Sequence, residues 1–448
     1  MEADRPGIES ETVALLQALI RFDTTNPPGN ERPLAQFLAD LFAKEGIPST
    51  LLLPTPSRAA LIARLKGKGT RRPVILLAHM DVVGVERENW SCDPFGGVVR
   101  DGFVYGRGAI DDKGMLAANV MAMLQLKRTV IDFGGYLERD IVFIATSDEE
   151  SGGAHGMRWL VENHPEHLDA EFAINEGGRT RIIEGGKRYL AIQTSEKISH
   201  MVRLTARGPA GHAAIPLADN AVFQLGRALA KLDVYREPVT LDSTTSRFFR
   251  ELSNVWPVAE ISDAMRDLVS SDPVYSERGA KVLSHIPVFN AVMRNGISPV
   301  DLSGGVAGNV IPAEVSATFN VRTIPGHRIE EVVDRIRAAV ASDSVTVEIA
   351  SHGDEAPGSD PDSAMFTAIA TAATALDPEI TVVPYLSTGG TDSAHLRRLG
   401  INAYGVLPFP MQQSDEERMH GHDERVPVTS LHFGARLIFE SVLRVATG

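Results

Sequence analysis

The sequence predicts an α/β protein, a mostly parallel sheet with flanking helices, interrupted by a smaller ferredoxin-like α+β domain. Three observations carry this reading. Val74 to Ala78 and Ile141 to Thr146 are uninterrupted apolar runs of strand length, the pattern of strands buried on both faces of a parallel sheet. Strand-like and helix-like segments alternate around them, which implies right-handed crossovers. From His200 the pattern changes to apolar–polar alternation, as in half-exposed antiparallel strands, and from about Gly353 the first pattern resumes.

Taken in order, Glu9 to Phe22 carries apolar residues at helical spacing, and Asp23-Thr-Thr-Asn-Pro-Pro-Gly ends it with turn chemistry. A second helix, Arg32 to Glu45, leads through Gly46-Ile-Pro to strands at Ser49 to Leu53 and Ala59 to Leu65. The strand Val74 to Ala78, a loop from Val85 to Gly108 and the helix Gly114 to Lys127 follow. Next come the strand Ile141 to Thr146, a helix near Ala154 to Glu162 and the strand Ala170 to Asn175. Beyond Ser195, His200 to Ala206, the helix Asn220 to Leu232, Val315 to Val321, the helix Ile329 to Val340 and Val345 to Ile349 are five of the six elements of a β-α-β-β-α-β order, which is the order expected here. Tyr235 to Pro299 does not fit that order and reads as a mainly helical insertion. The helix Ser363 to Leu376, the strand Thr381 to Pro384 and the helix Asp392 to Leu399 then return to the first pattern. The expected organisation is a larger domain built from residues 1–197 and 353–448, with an inserted domain over 198–352 that contains the helical stretch at about 235–299.

Composition narrows the function. A chain of 448 residues, 43% apolar and 23% charged, buries a large core. Its net charge of −14 argues against nucleic acid and anionic membrane surfaces as partners. Cys92 is the only cysteine, so no intrachain disulfide forms and a metal would be held by His, Asp and Glu. The N-terminus MEADRPGIESETVALL is acidic where a signal peptide needs a basic region. No apolar stretch approaches the roughly 18–20 residues that span a bilayer. The expectation is a soluble, cytoplasmic protein.

The chemistry lies at the predicted strand ends, where ligands bind in open α/β sheets. His79 and Asp81 are two residues apart, so their side chains leave the strand on one side, and Asp81 is placed to orient the imidazole. Asp111 follows Gly106-Arg-Gly-Ala-Ile just before a helix, where a carboxylate can bridge two cations. Glu149 and Glu150 are adjacent, so on an extended backbone one ligates while its neighbour holds a water. Glu176 ends another strand, and His420, in Met419-His-Gly-His-Asp-Glu, adds a late imidazole. Two histidines with three carboxylates suit a pair of zinc-like ions roughly 3.5–4 Å apart. Calcium or magnesium sites do not call for two imidazoles.

Each residue also has a plainer reading. A lone carboxylate at a strand end is more often a helix cap or a solvated charge. His155, His164, His167, His200, His285, His352 and His432 read as surface or structural histidines. Gly106-Arg-Gly and Ser151-Gly-Gly lack phosphate-loop spacing and read as turns. Cys92, without a histidine and acid in order, reads as a bystander.

His79-Met-Asp81, Gly106-Arg-Gly-Ala-Ile-Asp111-Asp-Lys-Gly, Asp148-Glu149-Glu150 and His420-Gly-His-Asp-Glu424 occur in an order that resembles the co-catalytic zinc amidohydrolases and exopeptidases. That family includes aminoacylase-1, acetylornithine deacetylase, succinyl-diaminopimelate desuccinylase, glutamate carboxypeptidase and the carboxypeptidase S group. The resemblance runs from about Ala14 to Leu443 and looks nearest the carboxypeptidase S and N-acyl amino acid hydrolase branch. It implies two Zn2+, with Co2+ or Mn2+ as substitutes, bridged by Asp111. His79 and Glu176 would complete one ion, Glu150 and His420 the other. The choice of His420 over His422 follows the family pattern HGxxE.

The resemblance further implies that Glu149 is the general base, with Asp81 beside it in the catalytic set. His212, in Gly208-Pro-Ala-Gly-His-Ala-Ala, would steady the oxyanion. In dimeric members that histidine comes from the partner subunit, which leaves open a homodimer through the inserted domain. Asn309, Arg322, Gly390 and Thr391 match substrate-contacting positions, although a salt bridge is an equal reading of Arg322. One departure stands out: the usual Asp two residues before the arginine is Asn320. The implied activity is hydrolysis of an amide or peptide bond beside a free carboxylate, in an N-acyl amino acid or short peptide. The alternatives are an N-acyl amino acid deacylase and a metal-dependent binding protein without catalysis.

Overall fold

The computed structural model describes residues 6–447; Met1 to Arg5, which open the acidic N-terminus, lie outside the described residues. Val74–His79 and Ile141–Thr146 pair in parallel from Val74 opposite Ile141 to His79 opposite Thr146, and every residue of both is buried. Their apolar runs do not alternate because both faces are covered. Val74, Leu76 and Ala78 join a core with the helices Pro6–Ile20, Lys113–Leu126 and Val428–Ala446. Ile75 and Leu77 point the other way, into Met157 and Leu160 of Met157–Asn163 and Leu396 of Ser393–Arg398. Lys113–Leu126 is buried along its whole length, as a helix apolar on all sides must be.

Phe172–Asn175 and then Asn402–Gly405 extend the parallel centre. Ser49–Leu52 and Ala60–Leu65 close one edge antiparallel, and Arg188–Glu196, Arg179–Ile182, Met411–Gln412 and Ile380–Ser387 build the other end. The result is a mixed sheet with a parallel centre and helices on both faces. The chain then leaves Glu196 for the strand Ile198–Arg207 through Lys197 alone.

Ile198–Arg207 belongs to a second, antiparallel sheet in the order Gly296–Gly304, Glu314–Thr323, Ile198–Arg207, Val345–Ser351. Ala221–Val234 and Ile329–Val340 cover it through Leu225, Val333 and Ile336, packed on Val202, Leu204 and Phe319. One expectation is corrected here. The stretch expected to be helical to about residue 299 ends its last helix at Met293, and Gly296–Gly304 is a strand. It is an edge strand, mostly exposed and containing Pro299, so it carries no apolar alternation to read.

The helices that precede it are signalled locally. Asp242 forms a capping box with Thr245, and Asp272 caps a helix that opens on Pro273. They bury Phe248, Phe249, Leu252 and Phe289 against Tyr189, Ala191, Val383 and Tyr385 of the first sheet. These helices therefore brace the first sheet. Among the described residues no helix is long and apolar enough to cross a membrane.

Candidate metal and active site

His79 is the last residue of its strand, and its Nε2 lies 2.9 Å from Asp111 Oδ1. Its Nδ1 lies 3.0 Å from the main-chain oxygen of Asp81 and 3.5 Å from the carboxylate. The nearer partner is thus the Asp81 backbone, not the side chain expected to orient the ring. The Asp81 carboxylate turns to the next strand end, where Oδ1 accepts from Glu149 N at 3.1 Å and Oδ2 from Glu150 N at 3.2 Å.

Those two amides belong to a turn. Asp148 takes φ of 66° and starts the short helical turn Glu149–Ser151, so the backbone is not extended as expected and both glutamates line one cleft. His420 approaches from the far end of the chain, its Nε2 3.1 Å from Asp111 Oδ2 and 3.2 Å from Glu150 Oε1. The two oxygens of Asp111 therefore face two imidazoles. Donor atoms of His79, Asp111 and Glu150 all lie within 4.8 Å of one another, and Glu150 Oε1 is buried. Glu176, directly after Phe172–Asn175, lines the same cleft. His422 points away, 3.7 Å from Glu86.

A polar scaffold behind the cleft holds these groups. Asn26 Nδ2 donates to Asp81 Oδ2 at 2.8 Å and to Asp148 Oδ1 at 3.1 Å. Arg58, 7% exposed, donates to Asn26 at 2.8 Å and pairs with Glu31 at 3.0 Å and Asp148 at 3.1 Å. On the other side Glu424 accepts from the amides of Ile110 and Asp111 at 2.8 and 3.1 Å and pairs with Arg107 at 2.5 Å. Arg107 also donates to the carbonyls of His420 and Gly421, at 3.2 and 3.0 Å. Gly114 must be glycine, because a Cβ there would lie 2.4 Å from the Ala109 carbonyl oxygen. Sequence reasoning did not find Asn26 and Arg58; the turn chemistry of Asn26-Pro-Pro-Gly was the sole signal.

The cleft encloses about 340 Å3 and is also lined by Tyr385, Leu407, Met419, Gly390 and Thr391. Thr391 is fixed to buried Glu196, its N and Oγ1 donating at 3.2 and 3.0 Å. His212, Asn309 and Arg322 are not part of this lining. His212 pairs with Val310 in a two-residue ladder, and Ala213 N donates to the Asn309 carbonyl at 3.0 Å, which brings His212 and Asn309 together on one exposed two-strand ladder. Arg322 Nε donates to Asn320 Oδ1 at 2.9 Å, so the amide keeps a bond to the guanidinium despite the missing charge. Among the described residues Arg322 has no carboxylate in ion-pair contact, which removes the salt-bridge reading.

Crowding sets the electrostatics. Burial, together with Asp392, Asp111 and Glu150, pushes Glu149 well above the usual carboxylate range. Burial with Glu149, Asp111 and Asp112 does the same to Glu176. Burial also opposes ionisation of Asp111, yet the His420 and His79 imidazoles hold it well below that range. Asp111 and Glu150 raise His420 to about 10. Among the described residues the one guanidinium lining the cleft, Arg179, is paired with Glu416. A set of imidazole nitrogens and mutually repelling carboxylates is one that divalent, zinc-like cations neutralise.

Residues 75–444 match the family described as Peptidase family M20/M25/M40. The N-fatty-acyl-amino acid synthase/hydrolase PM20D1 of Homo sapiens is 29% identical over 385 residues, covering 84% of this chain and 74% of that protein. Aminoacylase-1 of Homo sapiens is 26% identical over 436 residues, 95% of this chain and 93% of that protein. Among solved structures, the M20 family metallo-carboxypeptidase Sso-CP2 of Sulfolobus solfataricus superposes with a TM-score of 0.71 at 18% identity, over 97% of this chain and 99% of that one. The Bacillus subtilis YXEP protein, described as a dinuclear metal binding peptidase, superposes with a TM-score of 0.63 at 14% identity, over 98% and 99%.

Proposed function

Because the chain belongs to Peptidase family M20/M25/M40 and is thereby a metallohydrolase of amide or peptide bonds, we propose that it cleaves such a bond beside a free carboxylate, as a carboxypeptidase or dipeptidase. The observation that carries this is Asp111, whose two oxygens face His79 and His420 across a cleft ringed by Glu149, Glu150 and Glu176. The donor set fits two ions, zinc by preference, with cobalt or manganese as substitutes. Asp111 would be shared, with His79 and Glu176 on one ion and Glu150 and His420 on the other. When bound, such ions supply an acidified water and polarise the scissile carbonyl.

The chain's own residues do the rest. Glu149 takes the proton of the attacking water and returns it to the leaving amine, and its carboxylate is aimed by the bond from its own amide to Asp81. Arg322 offers a planar fork to the substrate carboxylate, with no competing ion pair among the described residues. Gly390 and Thr391 hold the substrate from the cleft wall, and Asn309 and His212 act from the exposed two-strand ladder. His212 steadies the oxyanion once the second sheet closes on the cleft, or from a partner subunit in a homodimer. A cleft of about 340 Å3 admits a small amide and not a folded protein.

A second reading, N-acyl amino acid deacylase, is favoured by the two curated relatives, whose names are those of acyl-amino acid hydrolases. The chemistry is the same and the acyl side differs. Hydrolysis of a panel of N-acyl amino acids and dipeptides, with chelator and with zinc or cobalt restored, tests both readings. Chelator-sensitive release of a free amino acid is expected, and the preferred half of the panel chooses between them. Folded, metal-loaded protein that turns over neither class overturns both.

A further inference from the structure

Beyond the cleft, a second group of metal donors stands on the crossover that follows Glu149 and Glu150. The helix Met157–Asn163 ends at His164, whose amide still donates to Leu160 O at 2.8 Å. Pro165 stops the helix and opens the turn Pro165–His167, in which His167 N donates to His164 O at 3.2 Å. In a turn with three residues per repeat, positions three apart eclipse. His164 and His167 therefore share a side, and Glu166 folds its carboxylate between them.

The spacing is that of a coordination shell. Nδ1 of His164 lies 3.2 Å and Nε2 of His167 3.7 Å from the same oxygen, Glu166 Oε1, and all three donor atoms fall within 4.8 Å of one another. Tetrahedral zinc, with bonds of about 2.0–2.1 Å, spreads its ligand atoms roughly 3.3–3.5 Å apart. The His167 separation is too long for a hydrogen bond. Its ring is aimed at the shared oxygen without bonding to it. The Trp159 ring, with its centroid 4.9 Å from that of His164, holds the first imidazole in place, and each histidine side chain is only 28% exposed.

We propose that His164, Glu166 and His167 form a further metal site that takes a borderline transition-metal ion such as zinc, nickel or copper(II). Two imidazoles and one carboxylate are the donors of open three-ligand zinc sites, with water in the remaining position, and they disfavour calcium and magnesium. The site precedes the strand Phe172–Asn175, whose other end carries Glu176, so it lies at the opposite end of the parallel strands from the cleft. It shares no residue with the cleft lining. An ion bound there clips the exit turn of the helix that follows the Glu149–Ser151 turn.

The test is an ion count and an optical readout on the full chain, independent of activity. Chelator-stripped protein is titrated with zinc for stoichiometry and with copper(II) while tryptophan emission is followed, since a bound paramagnetic ion quenches an adjacent indole. The parent is expected to bind one more ion per chain than His164→Ala/His167→Ala and than the milder Glu166→Gln. The share of the copper quenching that comes from Trp159, read as the difference between the parent and Trp159→Phe, should disappear in both variants, yet persist in His79→Ala/His420→Ala, which removes cleft ligands instead. Equal ion counts in parent and His164→Ala/His167→Ala, or Trp159 quenching that survives in that variant, overturn the proposal. Loss of ions in the His79→Ala/His420→Ala variant alone speaks to the cleft and leaves this site judged by its own pair of variants.

Discussion

The carboxylate cleft and the two-strand ladder that carries His212 are built to opposite specifications. In the cleft, amides that aim a carboxylate end on a buried acceptor: Glu149 and Glu150 on Asp81, Ile110 and Asp111 on Glu424. Those acceptors are held in turn by Asn26 and Arg107, and Asn26 by Arg58. The ladder has two-residue strands, and among the described residues the His212 ring has one hydrogen bond, accepted by Nδ1 from Ala214 N at 3.1 Å. Around it Ile215 and Val306 are 66% and 83% exposed. Gathering cations and moving a proton need groups fixed to fractions of an ångström, which burial and saturated hydrogen bonding supply. Closing over substrate needs a segment with few buried contacts, which can move.

The largest effect belongs to the fixed side. Glu149→Gln keeps the carboxylate's shape and removes its basicity, so turnover should fall about a hundred- to ten-thousand-fold while bound metal is unchanged. His79→Ala should lose metal as well, read by elemental analysis. Near-normal turnover in Glu149→Gln removes Glu149 from the proton transfer. Next comes the scaffold. Arg58→Ala leaves Glu31 and Asp148 buried without their cation, which should cost about 3–5 kcal/mol in urea unfolding. Asn26→Ala removes three hydrogen bonds and no charge, and should lower kcat with little change in KM, because it disturbs the aim of Glu149 and not substrate contact. If Asn26→Ala keeps full kcat, the contrast between a preorganised cleft and an exposed two-strand ladder loses its main support.

How much of this was legible in the sequence follows from what leaves a local mark. Val74–His79 and Ile141–Thr146 were legible because burial on both faces demands an uninterrupted apolar run. His79, Asp81, Glu149 and Glu150 were legible because they sit within a few positions of those runs, and Glu176 because it directly follows the strand Phe172–Asn175, whereas Asp111 and His420 were legible through the motifs around them. Gly296–Gly304 was not, since an exposed edge strand needs no apolar pattern, and Asn402–Gly405 is too short to show one. Asn26 and Arg58 escaped for another reason. Asn26 reaches Asp148 across 122 positions, and a lone polar residue that is satisfied only in three dimensions leaves no periodicity in one. The turn at Asp148 was also hidden: adjacency of Glu149 and Glu150 implies divergence only on an extended backbone, and φ of 66° removes that premise.

The mobile side is expected to respond more weakly. His212→Ala should lower kcat roughly a hundred- to a thousand-fold if its ring meets the oxyanion, with thermal stability unchanged because the side chain is exposed. Mixing that variant with Glu149→Gln distinguishes the two routes by which the ring reaches the reaction. Restored activity in the mixture means the histidine comes from the partner subunit of a homodimer. No restoration, with each variant still able to assemble, means the two-strand ladder closes on its own cleft.

The smallest effect sharpens the contrast furthest, because it concerns a single charge. Arg322 Nε donates to Asn320, and among the described residues the guanidinium has no carboxylate in ion-pair contact, with Glu196 acting on its charge only from farther off. Asn320→Asp would keep the hydrogen bond, make it charge-assisted and neutralise the arginine in advance. The two effects oppose each other: a better-oriented fork, and a weaker field for the substrate. Burial already lowers the Arg322 pKa, which marks a site where charge is poorly screened, so the loss of field should dominate. The expected result is KM raised about two- to five-fold for carboxylate-bearing substrates, a cost of about 0.5–1 kcal/mol, with kcat unchanged. A lower KM in Asn320→Asp would mean that orientation limits binding, and that the second sheet, like the cleft, gains from being fixed.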